Sequence, residues 1–161
     1  MPFESCIHTL QICAVGIGSP GSLNLEMGVI NKMANFDWTN VPITSRLAEM
    51  LGRPCYLEND AKCALLSEWW VGAGKGKQHV IMLTLGTGIG GGVIAHNSLV
   101  KGSTGMAAEL GHMIMEIDGR LHAGTGVKGV FEAYGSATGV RERAKDALKK
   151  EVRMHPSPSF D

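Results

Sequence analysis

The chain has 161 residues, 44% of them hydrophobic and 19% charged, a balance that fits a folded globular protein and excludes a disordered or membrane-embedded one. That length holds one domain or parts of two. Its 15 basic and 15 acidic side chains cancel and are interspersed, so no basic stripe exists to release counterions from a nucleic acid or an acidic membrane surface.

Residues 1–15 are fairly apolar but open with Glu4 instead of a basic residue and lack a small-residue cleavage site, so they do not read as a signal peptide. Residues 10–17 form an apolar run stopped by Gly18-Ser19-Pro20-Gly21, which predicts a buried strand and a turn. Residues 24–40 have no clear period and are expected to be mostly loop. Ile43, Leu47, Met50 and Leu51 mark one face of a helix over residues 44–51 that Gly52 closes. Residues 55–57 form a short strand, and a helix runs from Asp60 toward Gly72, with Trp69 and Trp70 expected to serve packing. Cys6, Cys13, Cys55 and Cys63 make no CxxC pair and sit in apolar segments, which predicts buried thiols in a reducing compartment, hence a cytoplasmic protein. Gly72, Gly74 and Gly76 mark a boundary that divides the chain into residues 1–74 and 75–161. Residues 80–85, far too short to span a bilayer, start an antiparallel meander. Its return is residues 93–95, followed by a turn at 96–98 and a third strand at 99–101. Residues 102–120 read as loop with a short helix near 107–110, and 131–151 as one helix whose late Lys and Arg residues suit its C-terminal end. The tail from 154 is expected to fray.

Two segments carry chemistry. Gly86-Thr87-Gly88-Ile89-Gly90-Gly91 contains a GxGxxG pattern, but the dinucleotide fingerprint needs a helix to follow it, and here Gly92-Val93-Ile94-Ala95 continues as strand. A β-hairpin whose glycines let backbone N–H groups and the Thr87 hydroxyl approach phosphate oxygens fits better. The plainer alternative is a hairpin that only permits close chain packing. The second segment is Glu58-Asn59-Asp60, where strand meets helix. Asp60 is a good N-cap and could be nothing more. It could also act as the ionised carboxylate that takes the proton of an attacking hydroxyl, with Asn59 offering a sugar hydroxyl both a donor and an acceptor.

In this order these segments resemble the ROK family of repressors and sugar kinases. The resemblance runs over about residues 12–143. It includes Gly16-Ile17-Gly18-Ser19-Pro20-Gly21, Leu57 through Ala64, Leu85 through Gly92, residues 102–105, Glu109-Leu110-Gly111-His112 and Glu132-Ala133-Tyr134. It implies an α/β hexokinase/actin-like (ribonuclease H-like) two-lobe fold, present in part, and an ATP- and Mg²⁺-dependent kinase for a hexose or N-acetylhexosamine, working as a homodimer. By the same resemblance Asp60 is the general base. Asn59, Asp60, Glu109, His112 and Glu132 hold the sugar, with Asn35 and Gly21 as further candidates, and Gly86, Thr87, Gly88, Ile89 and Gly90 face the ATP phosphates. Read without it, His112 and Glu109 are an ordinary partly buried histidine and a solvated helix residue.

Two departures from the family shape the expectations. Its zinc site uses three cysteines in a C-x-C-G-x-x-G-C segment, and Ala123, Thr125 and Val130 stand in their places. His112 and His122 alone cannot close a tetrahedral site, so zinc is not expected. The family also opens with an Asp-x-Gly-Gly-Thr-like phosphate loop and continues well past the Glu-Ala-Tyr helix. The chain is therefore expected to begin inside the first lobe and stop inside the second, binding sugar more readily than it turns sugar over. The alternatives are a non-catalytic sugar-binding or dimer-forming module or fragment and the sugar-sensing part of a repressor, the last disfavoured by the lack of a helix-turn-helix segment and by the retained Asp60.

Overall fold

A computed structural model describes residues 12–33 and 36–154 of the chain, and of the last five only the backbone. Strand β1 (Val15–Ser19) pairs in parallel with β5 (Cys55–Asn59), in a register that sets Ile17 beside Leu57 and Ser19 beside Asn59. Because both strands end at the same edge, Pro20 and Gly21 emerge next to Asn59 and Asp60. Between them the chain builds an antiparallel sheet of β2 (Ser22–Asn24), β3 (Val29–Lys32) and β4 (Thr39–Val41), then helix α1 (Ile43–Leu51). Ile30, Met33 and Leu57 form the buried centre here, with Ile17, Leu23 and Ile43 packed on it.

The segment over residues 24–40, expected to be mostly loop, carries strand β3 and the ends of β2 and β4, which the sequence did not show. Strands of three or four residues are too short to establish a period of two, and their pairing is a tertiary event. The helix predicted over 44–51 is present, closed by Gly52 at φ 61°. Its predicted apolar face is only half used: Ile43 and Leu47 are partly buried, while Met50 and Leu51 face solvent.

Helix α2 (Asp60–Trp70) joins the two halves, touching β1 and β5 on one side and β6 (Val80–Leu85) and β7 (Ile89–Ala95) on the other. Its buried residues are Ala61, Lys62 and Leu65. A methyl group on Gly92 would lie 2.6 Å from Leu65 Cδ2, and one on Gly90 would lie 2.9 Å from Ala61 Cβ. The glycines of β7 thus allow the helix to lie directly on the sheet. Trp69 donates its indole N–H to Lys77 O at 2.7 Å, but Trp70 is 77% exposed, so the packing role expected of both belongs to Trp69 alone.

The meander β6-β7-β8 (Ser98–Leu99) has the predicted topology, but its return already begins at Ile89 instead of 93, and its third strand is Ser98–Leu99 instead of 99–101. His96 and Asn97 both have positive φ, 48° and 59°, the geometry of a two-residue hairpin, so Ser98 already pairs with Ala95. The helix expected near 107–110 lies slightly later, as a 3₁₀ turn at Leu110–His112. The helix expected over 131–151 is two: α3 (Glu132–Gly135) and α4 (Ala137–Met154). Ser136 divides them. Its buried hydroxyl donates to Glu132 O at 2.7 Å and accepts the Gly139 N–H at 3.0 Å, which caps α4. Cys13 is exposed and Cys55 and Cys63 only partly buried, so the expected burial of the thiols holds for none of these three, and Cys6 lies outside the described residues.

Candidate active site

A cleft of about 470 Å³ opens between the β1/β5 edge and the β6–β7 turn. Its lining brings together Gly21, Asn59, Asp60, residues 86–90, Glu109 and Glu132, whose farthest members, Gly21 and Glu132, are 111 positions apart in sequence yet converge in space.

Each side chain is placed by local structure. Asn59 is the last residue of β5 and the N-cap of α2: its Oδ1 accepts the Lys62 N–H at 3.1 Å. This corrects the expectation that Asp60 caps the helix. Asp60 is instead the first helical residue, exposed to the cleft, and its Oδ1 accepts the Ala61 N–H at 2.9 Å. The cap leaves the Asn59 amide N–H groups, and the second Asp60 oxygen, available to a ligand. Gly21 has a structural reason of its own: at φ 92° a Cβ would sit 2.4 Å from Lys32 O. Glu109 immediately precedes the 3₁₀ turn, which can press against β7 because Gly111 and Gly91 lack side chains; a Cβ on Gly111 would lie 2.2 Å from Ile89 O.

The glycine hairpin divides into two kinds of position. Gly90, Gly91 and Gly92 are packing residues, hemmed in by α2, Met82 O and Leu110. Gly86 is different, since a Cβ there would meet nothing within 4 Å, and Gly88 meets only the Glu132 carboxylate. Not every backbone donor of the loop is open. The Gly86 N–H closes the turn on Gly88 O at 3.0 Å, and the Ile89 N–H donates to Glu132 Oε2 at 2.5 Å. Ile89 is buried, and Gly90 lies in the ladder opposite Thr84. Of the five candidate phosphate-facing residues, Thr87 and Gly88 therefore keep N–H groups with no partner among the described residues. Close by, Gly86 O accepts the N–H of Ala137, the first residue of α4. A second cleft of about 500 Å³ lies on that side and shares Thr87, Gly88 and Glu132 with the first.

Glu132 sits at the start of α3 with His122 Nε2 2.8 Å from its Oε1. His112 does not join the lining of the cleft; it is exposed, with its ring centroid 6.0 Å from that of His122. Asn35 lies outside the described residues. Ala123, Thr125 and Val130 cannot supply zinc thiolates, and Thr125 Oγ1 lies 2.9 Å from His122 Nδ1. Sequence reasoning missed the roles of three residues near the cleft. Lys62 is 1% exposed and donates from Nζ to Gly105 O, holding residues 102–106 against α2. Glu58 pairs with Lys101 at 3.1 Å. His122 is the third; the signal available for all three was proximity to a motif, which does not say which way a side chain turns.

An Asn-Asp pair at a parallel strand edge thus faces a glycine hairpin across one cleft of an α/β protein. Residues 5–156 match the ROK family, and the chain belongs to it. It is 48% identical over 137 residues to a glucokinase of Thermotoga maritima, covering 84% of this chain and 43% of that protein. The ROK hexokinase of Thermus thermophilus superposes with a TM-score of 0.77 at 33% identity, over 90% of this chain and 51% of that one. A ROK family glucokinase from Streptomyces griseus, solved with glucose and AMPPNP, superposes with a TM-score of 0.73 at 37% identity, over 89% of this chain and 46% of that one. The chain spans about half the length of these relatives, and its fold is the corresponding part of the hexokinase/actin-like fold. Among the described residues no helix is long and apolar enough to cross a membrane.

Proposed function

We propose that the chain forms the sugar-binding and phosphate-facing part of an ATP-dependent hexose kinase of the glucokinase type. The observation that carries this reading is the convergence of Asn59, Asp60, Glu109 and Glu132 with the open face of Gly86, Thr87 and Gly88 on one cleft. Carboxylates and amides arranged around a concave site complement a ring of hydroxyls and reject analogues that leave them unpaired. Asp60 takes the proton of the attacking hydroxyl, while Asn59, Glu109 and Glu132 hold the ring and Gly21 shapes the wall beside it. ATP supplies the phosphoryl group, and Mg²⁺ offsets the charge on its oxygens. The chain's own contribution on that side is the pair of N–H groups at Thr87 and Gly88, the Thr87 hydroxyl, and the N-terminal end of α4, whose partial positive charge favours phosphate. The division into a sugar lobe (residues 1–74) and a nucleotide lobe (75–161), a cytoplasmic setting and a homodimer complete the reading.

The test combines binding and turnover. Titration with glucose, mannose, N-acetylglucosamine and N-acetylmannosamine is expected to give saturable uptake of at least one hexose. Coupled ADP release with saturating Mg-ATP is expected to fall well below ordinary kinase rates of about 1–100 per second. In a form that turns over, Asp60→Asn lowers turnover by roughly 10²–10⁴-fold with little change in sugar affinity. Wild-type turnover in that variant would return Asp60 to a structural role, and no uptake of any of the four sugars would refute the reading.

A further inference from the structure

Among the described residues, Glu132 is the cleft carboxylate whose two oxygens are both held by the protein. Oε2 accepts the Ile89 N–H at 2.5 Å, and Oε1 lies 2.8 Å from His122 Nε2. The imidazole is itself held from behind, with Nδ1 2.9 Å from Thr125 Oγ1. That hydroxyl accepts the Val127 N–H at 3.3 Å, so its own proton is free to go to Nδ1, which leaves Nε2 protonated to donate to Glu132. The segment carrying His122 and Thr125 is fixed by backbone bonds: His122 N–H to Val127 O at 2.9 Å, Gly126 N–H to His122 O at 2.8 Å, and Gly129 N–H to Arg120 O at 2.8 Å. The chain of bonds therefore starts in a rigid turn and ends on the cleft, at Glu132 and the Ile89 N–H on either side of Gly88.

We infer that His122 is a positioning residue for Glu132, held by Thr125, and that this hydrogen-bonded clasp orients the carboxylate toward the hexose without a metal. What Glu132 binds rests on the proposed function; that His122 orients it does not. The physical case is one of entropy and geometry. A glutamate has three side-chain torsions to restrict, and an oxygen engaged once still has lone-pair capacity for a sugar hydroxyl. Fixing the carboxylate beforehand removes an ordering cost from binding. In this chain Thr125 occupies a position where the ROK resemblance places a zinc-binding cysteine, and its hydroxyl restrains the imidazole through a hydrogen bond.

The experiment uses the 161-residue chain, its Ile89 amide resonance in a ¹H–¹⁵N spectrum, and glucose affinity by calorimetry. His122→Ala should shift the Ile89 amide proton upfield as Glu132 loosens, and should raise the glucose Kd roughly 10–100-fold, the range for losing one hydrogen bond to a charged group. His122→Gln keeps an N–H donor at a similar reach and should recover most of both signals. A residue that only filled space would show no such rescue. Thr125→Val should move both readouts in the same direction but less, roughly 3–10-fold in Kd. If His122→Ala does not fold, His122→Gln and Thr125→Val carry the test: near-native values for the first with weakened values for the second support the clasp, and native values for both overturn it. An unmoved Ile89 resonance and unchanged glucose Kd in a folded His122→Ala chain overturn it as well. Should the wild-type chain bind no hexose, the proposed function fails, and the Ile89 resonance alone decides whether His122 positions Glu132.

Discussion

The hairpin glycines offer a sharp test because the structure assigns them different jobs. At Gly92 an added methyl would lie 2.6 Å from Leu65 Cδ2, and Leu65 is fully buried with nowhere to turn. Such overpacking costs about 1–3 kcal/mol, and at this chain length each kcal/mol lowers the melting temperature by roughly 2–4 °C. At Gly86 a methyl meets nothing within 4 Å and φ is not positive, so Gly86→Ala should change stability by no more than about 0.5 kcal/mol. The methyl would, however, stand on the open face beside the Thr87 and Gly88 N–H groups. Gly86→Ala is therefore expected to weaken Mg-AMPPNP binding roughly tenfold or more at native stability, while Gly92→Ala lowers stability and weakens nucleotide binding only as far as the fold loosens. Thermal melts and calorimetric titration of both variants read out the two quantities separately. A Gly86→Ala protein that melts as early as Gly92→Ala, or binds nucleotide as the wild type does, would refute the division of the loop into packing and phosphate-facing glycines.

Two further outcomes follow from single contacts. Ser136→Ala removes the α4 cap and leaves the Gly139 N–H unsatisfied, which should cost about 0.5–2 kcal/mol in a thermal or urea melt; an unchanged midpoint would mean that α4 starts elsewhere. The Cys63 thiol is pushed above its ordinary pKa by burial first and then by the charges of Glu58 and Asp60, so less of it is thiolate at neutral pH. Iodoacetamide should alkylate it more slowly in the folded chain than in urea, with the rate climbing as pH rises, and Asp60→Asn should speed the folded reaction by removing one negative charge. Equal folded and unfolded rates would contradict this.

The elements that sequence alone determined are those whose signal is local. Residues 80–95 read as two apolar runs joined by a glycine-rich turn, as a meander must, and Gly52 ends a helix because it tolerates a left-handed backbone. The Asn-Asp pair was legible because it sits where a strand gives way to a helix. Sequence could not decide which of its two residues caps that helix, since either side chain can accept the same N–H; the extended backbone of Asn59, at φ −66° and ψ 140°, settled it. Nor could it separate the glycines at 86 and 88 from those at 90–92, because a glycine's meaning lies in what surrounds the missing side chain. The strands over residues 22–41 were hidden for the same reason: each is too short to stabilise itself and exists only by pairing with its neighbours. The orientation of His122 toward Glu132, and of His112 away from the cleft, is a matter of side-chain direction set by the packing of residues 113–131 against α3. Local sequence pattern reports on the backbone within a few residues, whereas a site is made where distant segments meet, and only the tertiary structure decides that meeting.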